Sequence, residues 1–423
     1  MENKLEEQLL DRAEIGAYNL RKGLIKNYQS LQTIMTKWVR DMPIHNRRFL
    51  MANIIGSPER YVQGRGVLGE LCKHIQSMGK TPFILVSESG RDRVEKPIAA
   101  GADAFNTKLT YTTFRGECSR NEINRLITAY KESGCDVIVG IGGGKIHDTA
   151  KAVAFYAGAP VVIVPTIAGT DAPCSALSVI YSDEGVFEEY LFLPKNPNMV
   201  LVDTEIISKA PARLLVSGMG DALATYFEAR ACKQSDSGNF IGGQYTVTSM
   251  AIAKLCYDTL LSDGVKALLA VQEGVCTKAL EHIVEANTYL SGIGFESCGI
   301  AAAHAIHNGL TAIPETHHYY HGEKVAFGTL TQLVLENSKM EELEEVINFC
   351  LDTGLPTTLA DLGITEIKPG ELMQAAELAC GPNDTMGNMP FAVTPQMVYD
   401  AMIAADALGR HYKAKRKTPV VER

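Results

Sequence analysis

Asp221, in "SGMGDALATYFE", and the five histidines of "AAAHAIHNGLTAIPETHHYYHGEK" (His304, His307, His317, His318 and His321) are the residues of this chain best suited to hold a metal ion. Half of the ten histidines of a 423-residue protein fall in that one stretch. Two neutral imidazoles and a carboxylate make a three-ligand zinc site whose fourth position stays open for substrate. His304 and His307 lie three apart on one helical face, and His317 and His321 lie four apart. Spacing therefore leaves the choice of pair open. Any one of these histidines taken alone reads as a solvated or structural residue, and the clustering is what raises metal chemistry.

A second candidate is the loop in "VIVGIGGGKIHDTAKA", where Gly140, Gly142, Gly143 and Gly144 join an apolar strand to a helix. Glycines there let the backbone approach a phosphate, and the helix N-terminus favours its charge. The loop is neither G-x-G-x-x-G, because Lys145 stands at the last glycine, nor a Walker A loop, because Val139 and Ile146 occupy its diagnostic positions. The following "PTIAGTDAPCSALSVIY" adds the hydroxyls of Thr166, Thr170 and Ser175 and the carboxylate of Asp171. Beside a phosphate loop, these read as a wall of the same cleft.

The elements that must carry these residues change character along the chain. Residues 1–50 read as a charged helical extension with an interrupted apolar stripe. Over 51–210, the apolar strands "PFILVSE", "CDVIVGIGGGK", "APVVIVPT" and "NMVLVDTEI" alternate with helical stretches. That alternation predicts a parallel sheet covered on both faces, with ligands beyond the carboxyl ends of its strands. Residues 211–423 read as helices only. The expected architecture is an α/β domain followed by an all-helical one.

Composition narrows the function. With 46% hydrophobic and 21% charged residues, the chain suits a folded globular protein. A net charge of −9 argues against nucleic acid as a partner, and no apolar run is long enough to cross a bilayer. The ten cysteines are scattered with no CxxC pair, which predicts free thiols in the cytoplasm. "MENKLEEQLLDRAEIG" has neither the apolar core of a signal peptide nor the acid-poor character of a transit peptide.

In order along the chain, "GIGGGK…DTAK", "VPTIAGTDAPCSALSVIY", "LLVSGMGDAL", "EANTYLSGIGFES", "AAAHAIHNG" and "HGEKVAFGTL" resemble the glycerol dehydrogenase family. That family belongs to the iron-containing alcohol dehydrogenase and dehydroquinate synthase-like superfamily. The resemblance runs from about residue 52 to about 410. It implies a dinucleotide-binding α/β domain, an all-helical metal-binding domain, and zinc-dependent oxidation of glycerol or a related vicinal diol such as 1,2-propanediol, with NAD as acceptor. By the same resemblance, Asp221, His304 and His321 hold Zn²⁺, and His304 also borders the substrate. Asp171 contacts substrate, Phe295 lines its pocket, and His307 stands beside nicotinamide and substrate as a catalytic candidate. Gly142, Gly143, Gly144, Lys145, Asp148, Thr166, Thr170, Ser175, Leu177 and Tyr181 fall on nucleotide-contacting positions. His317 and His318 receive no role. A homo-oligomer, octamer or dimer, is also implied.

Several positions depart from the family pattern. Ser87 stands where an aspartate usually binds the adenosine ribose, with Glu88 next and Arg91 and Arg93 nearby. NAD is the expected cofactor, with weaker exclusion of NADP. Ile146 and His147 replace a usual Thr-Leu pair, Gly169 a serine, and Gly387 a frequent histidine. Dehydroquinate synthase and glycerol-1-phosphate dehydrogenase both need a basic cluster for a substrate phosphate, and the segments around Asp171 and His304 lack one. A nucleotide-binding protein without catalysis would be expected to lose a metal ligand, and all three are present.

Overall fold

A computed structural model describes residues 52–417. The extension expected over residues 1–50 lies outside the described residues. Residues 52–54 run beside the helical half: Ile54 donates to the Gln244 carbonyl at 3.0 Å, and Gln244 donates back to Ala52 at 2.9 Å. The chain then enters strand β1 (Tyr61–Gly64).

Strands β2 (Pro82–Val86), β3 (Thr110–Thr113), β4 (Val137–Gly142) and β5 (Val161–Pro165) follow. They alternate with helices α1 (Glu88–Phe105), α2 (Arg120–Ser133) and α3 (Gly144–Ala157). A hairpin, β6 (Leu177–Tyr181) and β7 (Phe187–Phe192), precedes β8 (Met199–Asp203). The main sheet runs β1-β8-β5-β4-β2-β3, parallel throughout. The four inner strands, β8, β5, β4 and β2, are buried throughout because both faces of the sheet are covered. Ile84, Val139, Ile141 and Val164 pack with Val94 and Ile98 of α1. Phe83, Leu85, Ile138 and Ile163 pack with Leu126 of α2 and Val153 of α3. From β2 the chain moves outward to β3, then returns to β4 on the other side of β2. The crevice of such a sheet opens at that reversal, beyond Val86 and Gly142.

The hairpin differs from the expected hydroxyl-rich loop. In β6 only Ser178 and Ile180 are buried, so its short, mixed sequence carries little strand signal of its own. Antiparallel pairing with β7 supplies it.

Beyond Asp203 the described residues contain only helical elements: a short turn (Thr204–Ser208), then α4 (Ala212–Ser235), α5 (Val247–Gln272), α6 (Lys278–Glu285), a π-helical turn (Ala286–Leu290) and α7 (Ser291–Cys298). Helices α8 (Ala302–Leu310), α9 (His321–Leu335), α10 (Met340–Thr353), α11 (Pro369–Ala379) and α12 (Pro395–Lys417) complete them. The buried α4 crosses the start of α9 backbone to backbone. A β-carbon on Gly322 would lie 1.7 Å from the Ser217 carbonyl oxygen, and one on Gly220 would lie 2.3 Å from that of Gly322. Only glycine permits that crossing, and it brings residue 321 against residue 221. Among the described residues, no helix is long and apolar enough to cross a membrane.

Candidate metal centre and nucleotide cleft

Asp221 lies in the middle of α4 with no solvent exposure. His321 opens α9 and His304 sits near the start of α8. His321 Nε2 is 3.1 Å and His304 Nε2 3.3 Å from Asp221 Oδ1. One ligand atom from each of the three residues falls within 4.8 Å of the others, and they form the one such cluster among the described residues. His317 instead directs its Nε2 to the Thr311 carbonyl at 3.0 Å. His318 lies outside the cluster and is exposed.

The surroundings of His304 fix its tautomer. Glu228, about two turns along α4 from Asp221 and fully buried, places Oε2 2.6 Å from His304 Nδ1. Its Oε1 accepts from the backbone N–H groups of Ala301 at 2.8 Å and His304 at 3.0 Å. A carboxylate accepts only, so Nδ1 carries a hydrogen, and in the neutral ring Nε2 is the atom with the lone pair, on the side of Asp221. Burial alone would push Asp221 up, but His321 and His304 overcome it and hold the carboxyl well below its usual range. Burial would lower His304, yet Glu228 and Asp221 drive it well above the ordinary value. The pocket thus demands positive charge, and two imidazole nitrogens with one carboxylate suit a bound divalent cation.

Asp171 reaches the edge of this cluster from the loop after β5. Its N–H donates to Asp221 Oδ2 at 3.3 Å, and its own Oδ2 accepts from Ser291 Oγ at 2.8 Å. Burial, with Asp221 close by, pushes its carboxyl well up. Ser291 is oriented further by Thr225 Oγ1 at 2.9 Å. The π turn makes this meeting possible by shifting the helix phase before Ser291. Within that turn, Asn287 donates to the carbonyls of Ala168 at 2.9 Å and Leu215 at 3.1 Å, tying the Asp171 loop to α4. Phe295 is buried edge-to-face on Phe240, ring centroids 5.7 Å apart, and Phe240 stacks on Phe192 of the hairpin. His307 stands behind His321, its Nε2 3.0 Å from His321 Nδ1.

The glycine loop lies at the carboxyl end of β4. A β-carbon on Gly142 would sit 2.5 Å from Ile146 Cδ1, so the turn into α3 leaves no room for a side chain. Gly143 caps α3 with no side-chain bond, leaving amide donors of the first turn for an external acceptor. Thr166 donates its N–H to the Gly142 carbonyl at 2.9 Å, and the Thr170 hydroxyl lies across from Gly144, 3.9 Å from where a β-carbon would be. Lys145 Nζ is paired with Glu117 at 2.6 Å. Asp148 accepts from Lys151 at 3.0 Å and from the Val179 N–H at 3.1 Å. Buried Lys151 also donates to the carbonyls of Ala172, at 2.9 Å, and Leu177 and reaches the Ser175 hydroxyl at 3.3 Å. Asp148, Ser175 and Leu177 therefore serve a strut joining α3 to the hairpin. Tyr181 closes β6, its N–H bonded to the Cys118 carbonyl at 2.9 Å; burial pushes its hydroxyl up to about 12.

Ser87 follows β2 and caps α1, accepting from the Gly90 N–H at 3.1 Å. Glu88 belongs to the first helical turn and is exposed, so the face alternation of a strand does not govern it. Arg91 pairs with Glu95 at 2.7 Å and lies 4.5 Å over the Tyr111 ring; Arg93 is exposed.

Sequence reasoning missed Glu228, Ser291, Thr225 and Asn287. Glu228 carried a signal, because its position seven residues after Asp221 returns it to the same face of the helix.

The chain is similar to known proteins over most of its length. Residues 58–204 match the family described as iron-containing alcohol dehydrogenase. The chain is 53% identical over 365 residues to a glycerol dehydrogenase of Citrobacter freundii, covering 86% of this chain and 100% of that one. The structure of a glycerol dehydrogenase from Schizosaccharomyces pombe superposes with a TM-score of 0.84 at 38% identity, covering 88% of this chain and 94% of that one. That of a probable glycerol dehydrogenase from Sinorhizobium meliloti superposes with a TM-score of 0.80 at 47% identity, covering 85% and 100%.

Proposed function

Because the chain belongs to the glycerol dehydrogenases of the iron-containing alcohol dehydrogenase family, we propose that Asp221, His304 and His321 hold a Zn²⁺ ion at which NAD-linked glycerol oxidation takes place. The protein is an oxidoreductase that oxidises glycerol, giving dihydroxyacetone by this reading. The observation that carries the metal reading is the convergence of these three side chains, whose ligand atoms all lie within 4.8 Å of one another.

A bound Zn²⁺ supplies Lewis acidity that lowers the pKa of a coordinated hydroxyl, and three protein ligands leave room for substrate. The Asp171 carboxylate, held by Ser291, orients a neighbouring hydroxyl of the polyol. Buried Phe295 lines the pocket with Phe240 and keeps water from the reacting carbon. The uncapped start of α3, with Gly142 to Lys145, Thr166 and Thr170, receives the dinucleotide pyrophosphate. Asp148, Ser175, Leu177 and Tyr181 shape the adjoining wall, and His307 supports the metal side through His321. NAD bound there supplies the hydride acceptor.

Elemental analysis of the purified protein and a glycerol assay with each dinucleotide test the reading together. One zinc per chain and NAD-dependent turnover are expected, and His321→Ala should lose both, whereas His317→Ala keeps both. Full zinc occupancy in His321→Ala would overturn the ligand set. An iron content of one per chain would correct the metal and leave the site standing.

A further inference from the structure

Behind the three proposed ligands a chain of side-chain contacts runs from His321 through His307 to the loop after α11. His321 Nδ1 lies 3.0 Å from His307 Nε2. His307 Nδ1 lies 3.0 Å from Asn308 Oδ1. Asn308 Nδ2 donates to Asp384 at 3.0 Å to Oδ2 and 3.3 Å to Oδ1. Asp384 comes from the far side of the sequence, in the loop between α11 and α12, where it also accepts the Thr385 N–H at 2.7 Å. That loop is clamped to the residues leading into α8. Thr385 Oγ1 donates to the Ala301 carbonyl at 2.7 Å, and Asn388 Nδ2 donates to that of Ile300 at 2.8 Å.

With both rings neutral, as metal ligands must be, each link has one consistent polarity. A carboxylate accepts and does not donate, so Asn308 must turn its amide nitrogen to Asp384 and its carbonyl oxygen to His307. His307 Nδ1 must then carry the hydrogen, which leaves Nε2 as an acceptor. His321 Nδ1 must therefore be the donor, and its Nε2 is left with a bare lone pair 3.1 Å from Asp221 Oδ1. Glu228 imposes the same state on His304 from the other side. The two imidazoles and Asp221 then face one another with acceptors only, an arrangement that a cation satisfies.

From this geometry we infer that Asp384 and Asn308 are positioning residues that fix the tautomer of His321 through His307 and so prepare its Nε2 for the metal. The inference rests on the metal reading above, since it concerns how one ligand is made ready. Partners beyond the ligands of metal sites commonly contribute 10–100-fold in affinity or activity. For one two residues removed, about tenfold is expected.

The test uses full-length protein, with Zn²⁺ affinity from chelator competition and with kcat and KM for glycerol and NAD. Asp384→Asn keeps the size of the side chain and its capping of the turn, but no longer dictates which way Asn308 faces. Zn²⁺ should bind roughly tenfold more weakly and kcat should fall by a similar factor. The KM for NAD and the melting temperature of the metal-free protein should not change. Asn308→Asp should weaken Zn²⁺ as well, because two carboxylates then face each other. The double variant Asn308→Asp with Asp384→Asn restores the polarity: the new carboxylate accepts both from His307 Nδ1 and from the new amide. Its Zn²⁺ affinity should return to within about threefold of the parent, a coupling that loss of packing would not produce. An Asp384→Asn protein within twofold of the parent, or a double variant no better than the worse single one, overturns the inference. If the parent binds one zinc that His321→Ala loses, the metal reading survives that failure. A parent that binds no zinc overturns both.

Discussion

At the scale of single residues, fully buried Asp221 and partly buried Asp171 are adjacent, the Asp171 backbone N–H donating to Asp221 Oδ2, yet their neighbours separate the two carboxyl groups. Asp221 faces two imidazoles, whereas Asp171 faces the Ser291 hydroxyl. Asp171→Asn should therefore retain zinc near one per chain while kcat/KM for glycerol falls by about 10–100-fold, the loss of an orienting charged hydrogen bond. Loss of the metal in that variant would mean that Asp171 belongs among the ligands. His147 is a different case. It is 1% exposed, and neither ring nitrogen has a hydrogen bond of normal geometry. Burial, with Lys151 nearby, lowers its pKa from 6.5 to about 3. The unfolded chain takes up this proton near pH 6.5 and the folded chain only near 3, so stability is complete above 6.5 and falls between the two values. At pH 5 the difference is about 2 kcal/mol. His147→Leu should stabilise the protein by that much more at pH 5 than at pH 8 in denaturant titrations. An equal effect at both pH values would show that His147 takes up its proton while folded.

At the scale of elements, we propose that the junction of β2 and α1 governs cofactor choice. Ser87 ends the extended segment with φ −70° and ψ 155° and caps the helix. Aspartate caps equally well, so Ser87→Asp leaves the junction intact and places a negative charge at the end of β2, where we propose the ribose lies. Arg91 is already engaged by Glu95 and Tyr111. We expect the parent to prefer NAD, and Ser87→Asp to lower kcat/KM for NADP by tenfold or more with little change for NAD, since like charges at close range repel by more than 1 kcal/mol. Equal effects on the two cofactors would move the ribose away from this strand end.

At the scale of the whole molecule, every residue proposed to act lies at or beyond Ser87, while the first described residues, from Ala52, run beside Gln244. A chain beginning at Ala52 keeps that pairing and should retain kcat per folded subunit. A well-folded but inactive truncation would show that residues before Ala52 complete the site.

Much was legible in the sequence because the signals were local. Apolar strands alternating with helices specified the parallel sheet, and the glycines after β4 marked the turn into α3. The motif order pointed to Asp221, His304 and His321. Spacing within the chain could not separate His304 and His321 from His307 and His317, because positions three or four apart share a helical face whatever they touch. Only the tertiary structure shows which of them meet Asp221. The backbone crossing at Gly220 and Gly322 sets His321 against Asp221, 100 positions apart in sequence. Glu228 turns His304 towards the same oxygen across 76 positions, and Asp384 meets Asn308 across another 76. Partners so far apart leave no local period or pattern, since close packing brings them together and each residue's own surroundings in the chain do not.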